Sequence, residues 1–153
     1  MDYEVKVIPE QKLGVINCKT PIKDLGIFLS ILMDWVDTEE IVTDGDPFIV
    51  YFSPRHEVTQ GDAVYDVSIP VKDAPDETDR IRVVDMIENK VLAATHYGST
   101  DTIMDTYAQL VEVAQENHYD IIGSPKEVLI KGLHNCDNEE EYITEIQLPI
   151  IEM

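Results

Sequence analysis

Glu145 stands where a charge is unexpected. In the closing stretch EEEYITEIQLPIIEM, Ile143, Ile146 and Leu148 read as the apolar half of a strand, with Glu145 and Gln147 set between them. A carboxylate in an apolar place can attract a cation, accept from a hydroxyl or take a proton from water. On a half-wetted strand the same residue is only the polar face. Asp66 occupies the matching point of an earlier strand, AVYDVSIPV. Three rings could accompany these carboxylates. Tyr107 reads either as a core aromatic or as a hydroxyl in a pocket, Trp35 as a core residue or a ligand wall, and Tyr51 as a sheet-surface residue or a pocket residue. His96, His134, Cys18 and Cys136 match no zinc spacing, and Glu139 to Glu141 lack the alternating carboxylates of a calcium loop. There is no phosphate-cradling glycine loop and no G-x-S-x-G. The expectation is a site without metal or cofactor.

The elements that must hold these residues occur twice. YEVKVI and KLGVINC read as strands, PIKDLGIFLSILMDWVDTEE as a helix, and FIVYFS and AVYDVSIPV as strands after the turn DGDP. Leu25, Phe28, Leu29, Leu32 and Val36 recur at helical spacing. The order then repeats: RIRVVDMIE, KVLAATHYG, a helix with Ile103, Tyr107, Leu110, Val111 and Ala114 on one face, the turn GSP, KEVLIKG and YITEIQLPI. A gapless shift of 78 places Lys12 on Lys90, Leu32 on Leu110, Gly45 on Gly123, Pro47 on Pro125 and Val50 on Val128. A shift of 79 lays Asp66 on Glu145 and Pro70 on Pro149. The chain therefore reads as one domain, 1–153, with repeat one about 3–71, a polar connector about 72–80 and repeat two about 81–151. Neither strand–helix–strand–strand repeat can cover its own sheet. The expected fold is α+β: two repeats related by a pseudo-twofold form one antiparallel sheet, with both helices on one face and a groove between them.

Composition narrows the partners. The 31 acidic and 11 basic residues give a net charge of −20, which repels phosphate backbones. Direct nucleic-acid binding is not expected; such a field would attract cations, amines or basic proteins, although most of these charges read as serving solubility. The N-terminus has no signal-peptide pattern, no run is long enough to span a bilayer, and two distant cysteines make no disulfide framework. These features predict a cytoplasmic protein with no membrane association.

The second-half run ATHYGSTDTIMDTYAQLVEVAQENHYDIIGSPKEVLI, closing with TEIQLPI, resembles the GyrI-like small-molecule-binding domain, which also forms the effector-binding part of AraC-type and MerR-type multidrug regulators. The resemblance rests on His96 to Gly98, on Thr106 and Tyr107, on the G-x-P turn, on the T-E-I-Q-x-P closing strand, and on Tyr51 in PFIVYF. Ser99 and Thr100 stand where many members have Pro-Tyr, and Leu129 stands where a Tyr is frequent. The resemblance implies that Glu145 rises at the floor of the groove toward the helices, with Tyr107, Tyr51 and His96 around the ligand. The repeat symmetry puts Asp66 near the other end, Trp35 is a candidate wall from its place on the helix edge, and the expectation is a stand-alone member. The resemblance implies binding of small lipophilic, often cationic or planar molecules. A second reading is a hydrolase of electrophilic, cyclopropane-bearing natural products that uses Glu145 and Tyr107. A third is an acidic protein-interaction module, such as a gyrase inhibitor.

Overall fold

The computed structural model describes residues 1–152. Along the chain come β1 (Tyr3–Ile8), β2 (Gln11–Pro21), α1 (Leu25–Thr38), β3 (Phe48–Tyr51) and β4 (Asp62–Val71). There follow β5 (Arg82–Met86), β6 (Asn89–Tyr97), α2 (Ile103–Glu116), β7 (Tyr119–Ile121), β8 (Lys126–Lys131) and β9 (Ile143–Glu152). The fold is α+β, and the described strand pairs are antiparallel. No described helix is long and apolar enough to cross a membrane.

The chain forms two compact units: Glu10–Ile87, and Met1–Pro9 with the chain from Glu88 onward. The first orders its strands β3-β4-β2-β5. The second orders them β1-β6-β9-β8, with β7 pairing the far end of β9. The sequence repeats thus exchange their opening strands, since β1 pairs with β6 and β5 with β2. The two-residue connections explain this. A tight hairpin needs positive φ at its central residues. Pro9 cannot adopt it, and Ile87-Glu88 offers neither Gly nor Asn. Each opening strand therefore leaves its successor and pairs elsewhere.

The repeat is otherwise kept in detail. Each helix ends on a residue in the left-handed region, Glu40 (φ 52°) and His118 (φ 59°), 78 positions apart. Each following turn sets a glycine against a proline of the last strand. A Cβ on Gly45 would meet Pro70 at 3.3 Å, and one on Gly123 would meet Pro149 at 3.3 Å. The adjoining amides close both turns, Asp44 N–H on the Pro70 carbonyl and Ile122 N–H on that of Pro149.

Each helix covers one face of its own sheet. Under α2 lie Leu92, Ala94, Ile146, Leu148 and Ile150, packed against Ile103, Tyr107, Leu110 and Ala114. Under α1, Leu29, Leu32, Trp35 and Val36 are buried. One volume exchange separates the units. Trp35 packs its six-membered ring where a Cβ on Gly14 would fall, 2.5 Å from Cζ3. The shift of 78 gives Leu92 and Val113 at these positions, a larger strand residue facing a smaller helix residue. The summed volume is kept while its owner changes.

Candidate functional site: a buried carboxylate and a helix tyrosine

Strand register sorts the side chains of the second unit into two faces. Ala94, Ile146 and Glu127 form one cross-strand row, and His96, Thr144 and Leu129 the next. Because Ala94 and Ile146 lie in the core beneath α2, Glu127 faces α2 as well. It is 2% exposed. Tyr107, one turn into α2's buried stripe, donates its hydroxyl to Glu127 Oε2 at 2.6 Å. A carboxylate in an apolar layer, gripped by a phenol, is the chemical centre of this face. It can accept from a second donor, hold a cation or accept a proton from water.

Glu127 was missed by reading the sequence alone because Lys126 and Val128 beside it give KEVLIK no clean alternation. A signal was present nonetheless. The repeat shift lays Glu127 on Ile49, a residue 0% exposed in the first unit. A core isoleucine replaced by a glutamate marks a departure from packing.

Glu145 is turned the other way from the expectation. It shares a row with Thr95 and Val128, on the face opposite α2. The strand alternates strictly, so a glutamate next to the core residue Ile146 must point away from the helix. There it meets Lys6 Nζ at 2.6 Å and accepts from Gln147 Nε2 at 2.8 Å. A shallow cavity of about 240 Å³ beside it is lined by Asp2, Glu4 and Thr95 among others. Glu145 and Tyr107 therefore do not form one site. Asp66 behaves alike in its own unit. It pairs with Asn17 across from β2 and takes that residue's side-chain amide, on the face away from α1. Burial pushes its carboxyl up, while the Asn17 hydrogen bond and the Arg82 guanidinium pull it down.

His96 is held structurally. Its Nε2 lies 2.8 Å from the Ser99 carbonyl, which can only accept, so Nε2 carries a proton. Nδ1 then accepts from the Thr106 hydroxyl at 2.8 Å. The ring ties the β6–α2 turn to the helix next to Tyr107, and so fixes the tyrosine's approach. Tyr51 is buried on the α1 face of its unit, 6.4 Å from the Tyr65 ring, with the Arg55 guanidinium 4.6 Å over its own ring. Trp35 is a core residue over Gly14, and its indole Nε1 is buried without an acceptor. Lys126 lies opposite Gln147, on the Glu145 face, and desolvation lowers its ammonium to about 8. Among the described residues no group of three His, Cys, Asp or Glu is placed to hold a metal ion.

Each unit is thus a helix-covered antiparallel sheet, and the second holds a buried carboxylate–phenol pair. The chain belongs to the GyrI-like family: the family model for the GyrI-like small molecule binding domain matches residues 1–151. Three proteins of known structure share the fold. The EcmrR C-terminal domain is 18% identical with a TM-score of 0.87, covering 99% of this chain and 98% of that one. EcmrR in its DNA complex is 20% identical with a TM-score of 0.86, over 99% of this chain and 58% of its own, so this chain spans little more than half of it. A hydrolase encoded by lin2189 from Listeria innocua is 14% identical with a TM-score of 0.71, covering 97% and 91%. SAV2435, solved bound to tetraphenylphosphonium, is 14% identical with a TM-score of 0.63, covering 99% and 94%. No curated protein matches the sequence.

Proposed function

We propose that this GyrI-like domain binds small lipophilic cations, with Glu127 as the carboxylate they approach and Tyr107 as the residue that positions it. The observation carrying this reading is the Ile49–Glu127 difference between the repeats. The same strand position is satisfied by isoleucine in one unit, so the fold does not require a charge there. Withdrawing a carboxylate from water is costly unless it is compensated, and its presence favours a role in recognition. SAV2435, of the same fold, is solved with tetraphenylphosphonium, a lipophilic cation of this chemistry. Isothermal titration of tetraphenylphosphonium into the wild type and into Glu127→Gln tests the reading. The variant keeps the side chain's size and can still accept from Tyr107. Its affinity should fall by more than about tenfold, as expected when one member of a desolvated charge pair is neutralised. Equal affinities would refute it.

The 2.6 Å Tyr107–Glu127 contact also supports hydrolysis of a strained, electrophilic ring. In that reaction the carboxylate takes a proton from the attacking water, the water oxygen bonds to the ring carbon, and the phenol protonates the carbon released as the ring opens. The relevant glutamate is Glu127, since Glu145 lies on the far face. Product mass after incubation with a cyclopropane-bearing electrophile checks it: ring-opened hydrate should form with the wild type and not with Glu127→Gln.

A further inference from the structure

We propose that the outer edge of β1 is a docking surface for a second copy of this chain, with two β1 strands joined antiparallel about a twofold through Val5. β1 pairs with β6 and with no other described strand. The Gly98 N–H bonds to the Tyr142 carbonyl, so Ala94, His96 and Gly98 are the β6 residues that bond toward β9. Val91 and Ala93 therefore bond toward β1, onto Lys6 and Glu4. The backbone N–H and C=O groups of Tyr3, Val5 and Val7 are left pointing out of the sheet. An open strand edge is a template for another strand, and folded chains usually block it. The sister unit does so: β5 is the repeat counterpart of β1, 78 positions on, and the Glu77 carboxylate accepts the Val83 N–H at 3.0 Å. No described side chain does this for Val5, the counterpart of Val83.

The side chains select the partner and the register. Centring two β1 strands on Glu4 sets Glu4 against Glu4, and centring them on Lys6 sets Lys6 against Lys6. Like charges directly opposite are destabilising. Centring on Val5 places each Glu4 opposite the other copy's Lys6 and each Tyr3 opposite the other copy's Val7. It also satisfies the outward backbone groups of all three residues on both strands. Within one copy Lys6 is engaged chiefly by Glu145 at 2.6 Å, while the exposed Glu4 carboxylate lies 3.7 Å from it. The second copy brings Glu4 a cation directly across the seam. Tyr3 and Val5 share the α2 face with Ala94 and Leu92, and Val7 follows by alternation. There Tyr3 is 47% and Val7 53% exposed, and each would cover the other. The same patch thus serves both copies, as a twofold requires.

Sedimentation equilibrium of the full chain tests this. About 0.15 M salt screens the general repulsion between two chains that each carry a net charge of −20. A seam one strand long makes a small, transient interface, so monomer and dimer should exchange reversibly between about 10 μM and about 1 mM. Glu4→Lys sets lysines opposite one another and should weaken dimerisation at least about tenfold, and Lys6→Glu should do so with glutamates. An equimolar mixture of these two variants restores opposite charges at both crossings, and its heterodimer should be at least about tenfold tighter than either homodimer. Val7→Pro is a check independent of charge: it removes an outward N–H, leaves the β6 ladder intact and should also weaken the dimer. The proposal is overturned if the wild type stays monomeric throughout, or if Glu4→Lys and Val7→Pro dimerise as tightly as wild type. It is equally overturned if the two charge variants, both folded by circular dichroism, form no heterodimer. Should Lys6→Glu fail to fold, Glu4→Lys and Val7→Pro decide alone.

Discussion

At the scale of single residues, the protein treats its acidic side chains in two ways. Most of its 31 carboxylates serve solvation, whereas Glu127 is sealed beneath α2. Tyr107→Phe removes one donor to Glu127 without changing ring volume. We expect it to fold and to lose about 1–3 kcal/mol in urea melts, the cost of removing one hydrogen bond to a buried charged acceptor. An unchanged midpoint would mean that the hydroxyl contributes nothing. Lys126 allows a pH test. Its ammonium is lowered to about 8 from 10.5 by desolvation, so between these values the unfolded chain binds more protons than the folded one. Stability from this group therefore rises as pH climbs from about 8 to 10.5 and is least below 8. Cys18, raised from 9.0 to about 12 chiefly by burial, acts in the opposite sense above pH 9, so the comparison needs a variant. Lys126→Met should be more stable than wild type at pH 7, and the gap should close by pH 10.5. A constant gap would contradict the desolvation of Lys126.

At the scale of elements, Gly14 and Trp35 form a matched pair across the β2–α1 interface. Gly14→Ala should cost about 1–3 kcal/mol through overpacking against the indole. Gly14→Leu with Trp35→Val, which copies Leu92 and Val113, should recover much of the loss left by Gly14→Leu alone. Chemical denaturation of the single and double variants measures that coupling. The same pair shows what the sequence could reveal. The 3.6-residue stripes of Leu29, Leu32, Leu110 and Ala114, the glycine–proline turns and the strand order were all legible, because periodicity and turn chemistry are local. Trp35 was ambiguous because its neighbour is a glycine, which leaves no trace in a hydrophobic pattern. The orientation of Glu145 was in fact encoded by alternation with Ile146, but the resemblance drew it toward the helices. Glu127 was hidden by the adjacent Lys126. Short β7 also escaped, since three residues after a helix carry no period.

At the scale of the whole molecule, the exchanged opening strands make each unit depend on residues distant in sequence. Deleting residues 1–8 should remove β1's cover and the Lys6–Glu145 ion pair, and raise amide exchange along β6 while leaving the β2–β4 ladder protected. Uniform exchange in both ladders would contradict that division. The central claim is more local: of two glutamates on neighbouring strands, the one under the helix is the one that recognises ligand. The most direct test is the tetraphenylphosphonium dissociation constant for wild type, Glu127→Gln and Glu145→Gln, measured together at one ionic strength. Glu127→Gln should weaken binding by more than about tenfold, while Glu145→Gln, which disturbs a partly exposed pair with Lys6 and the hydrogen bond from Gln147, should stay within about threefold of wild type. The reverse order, with Glu145→Gln losing binding and Glu127→Gln keeping it, would contradict the account.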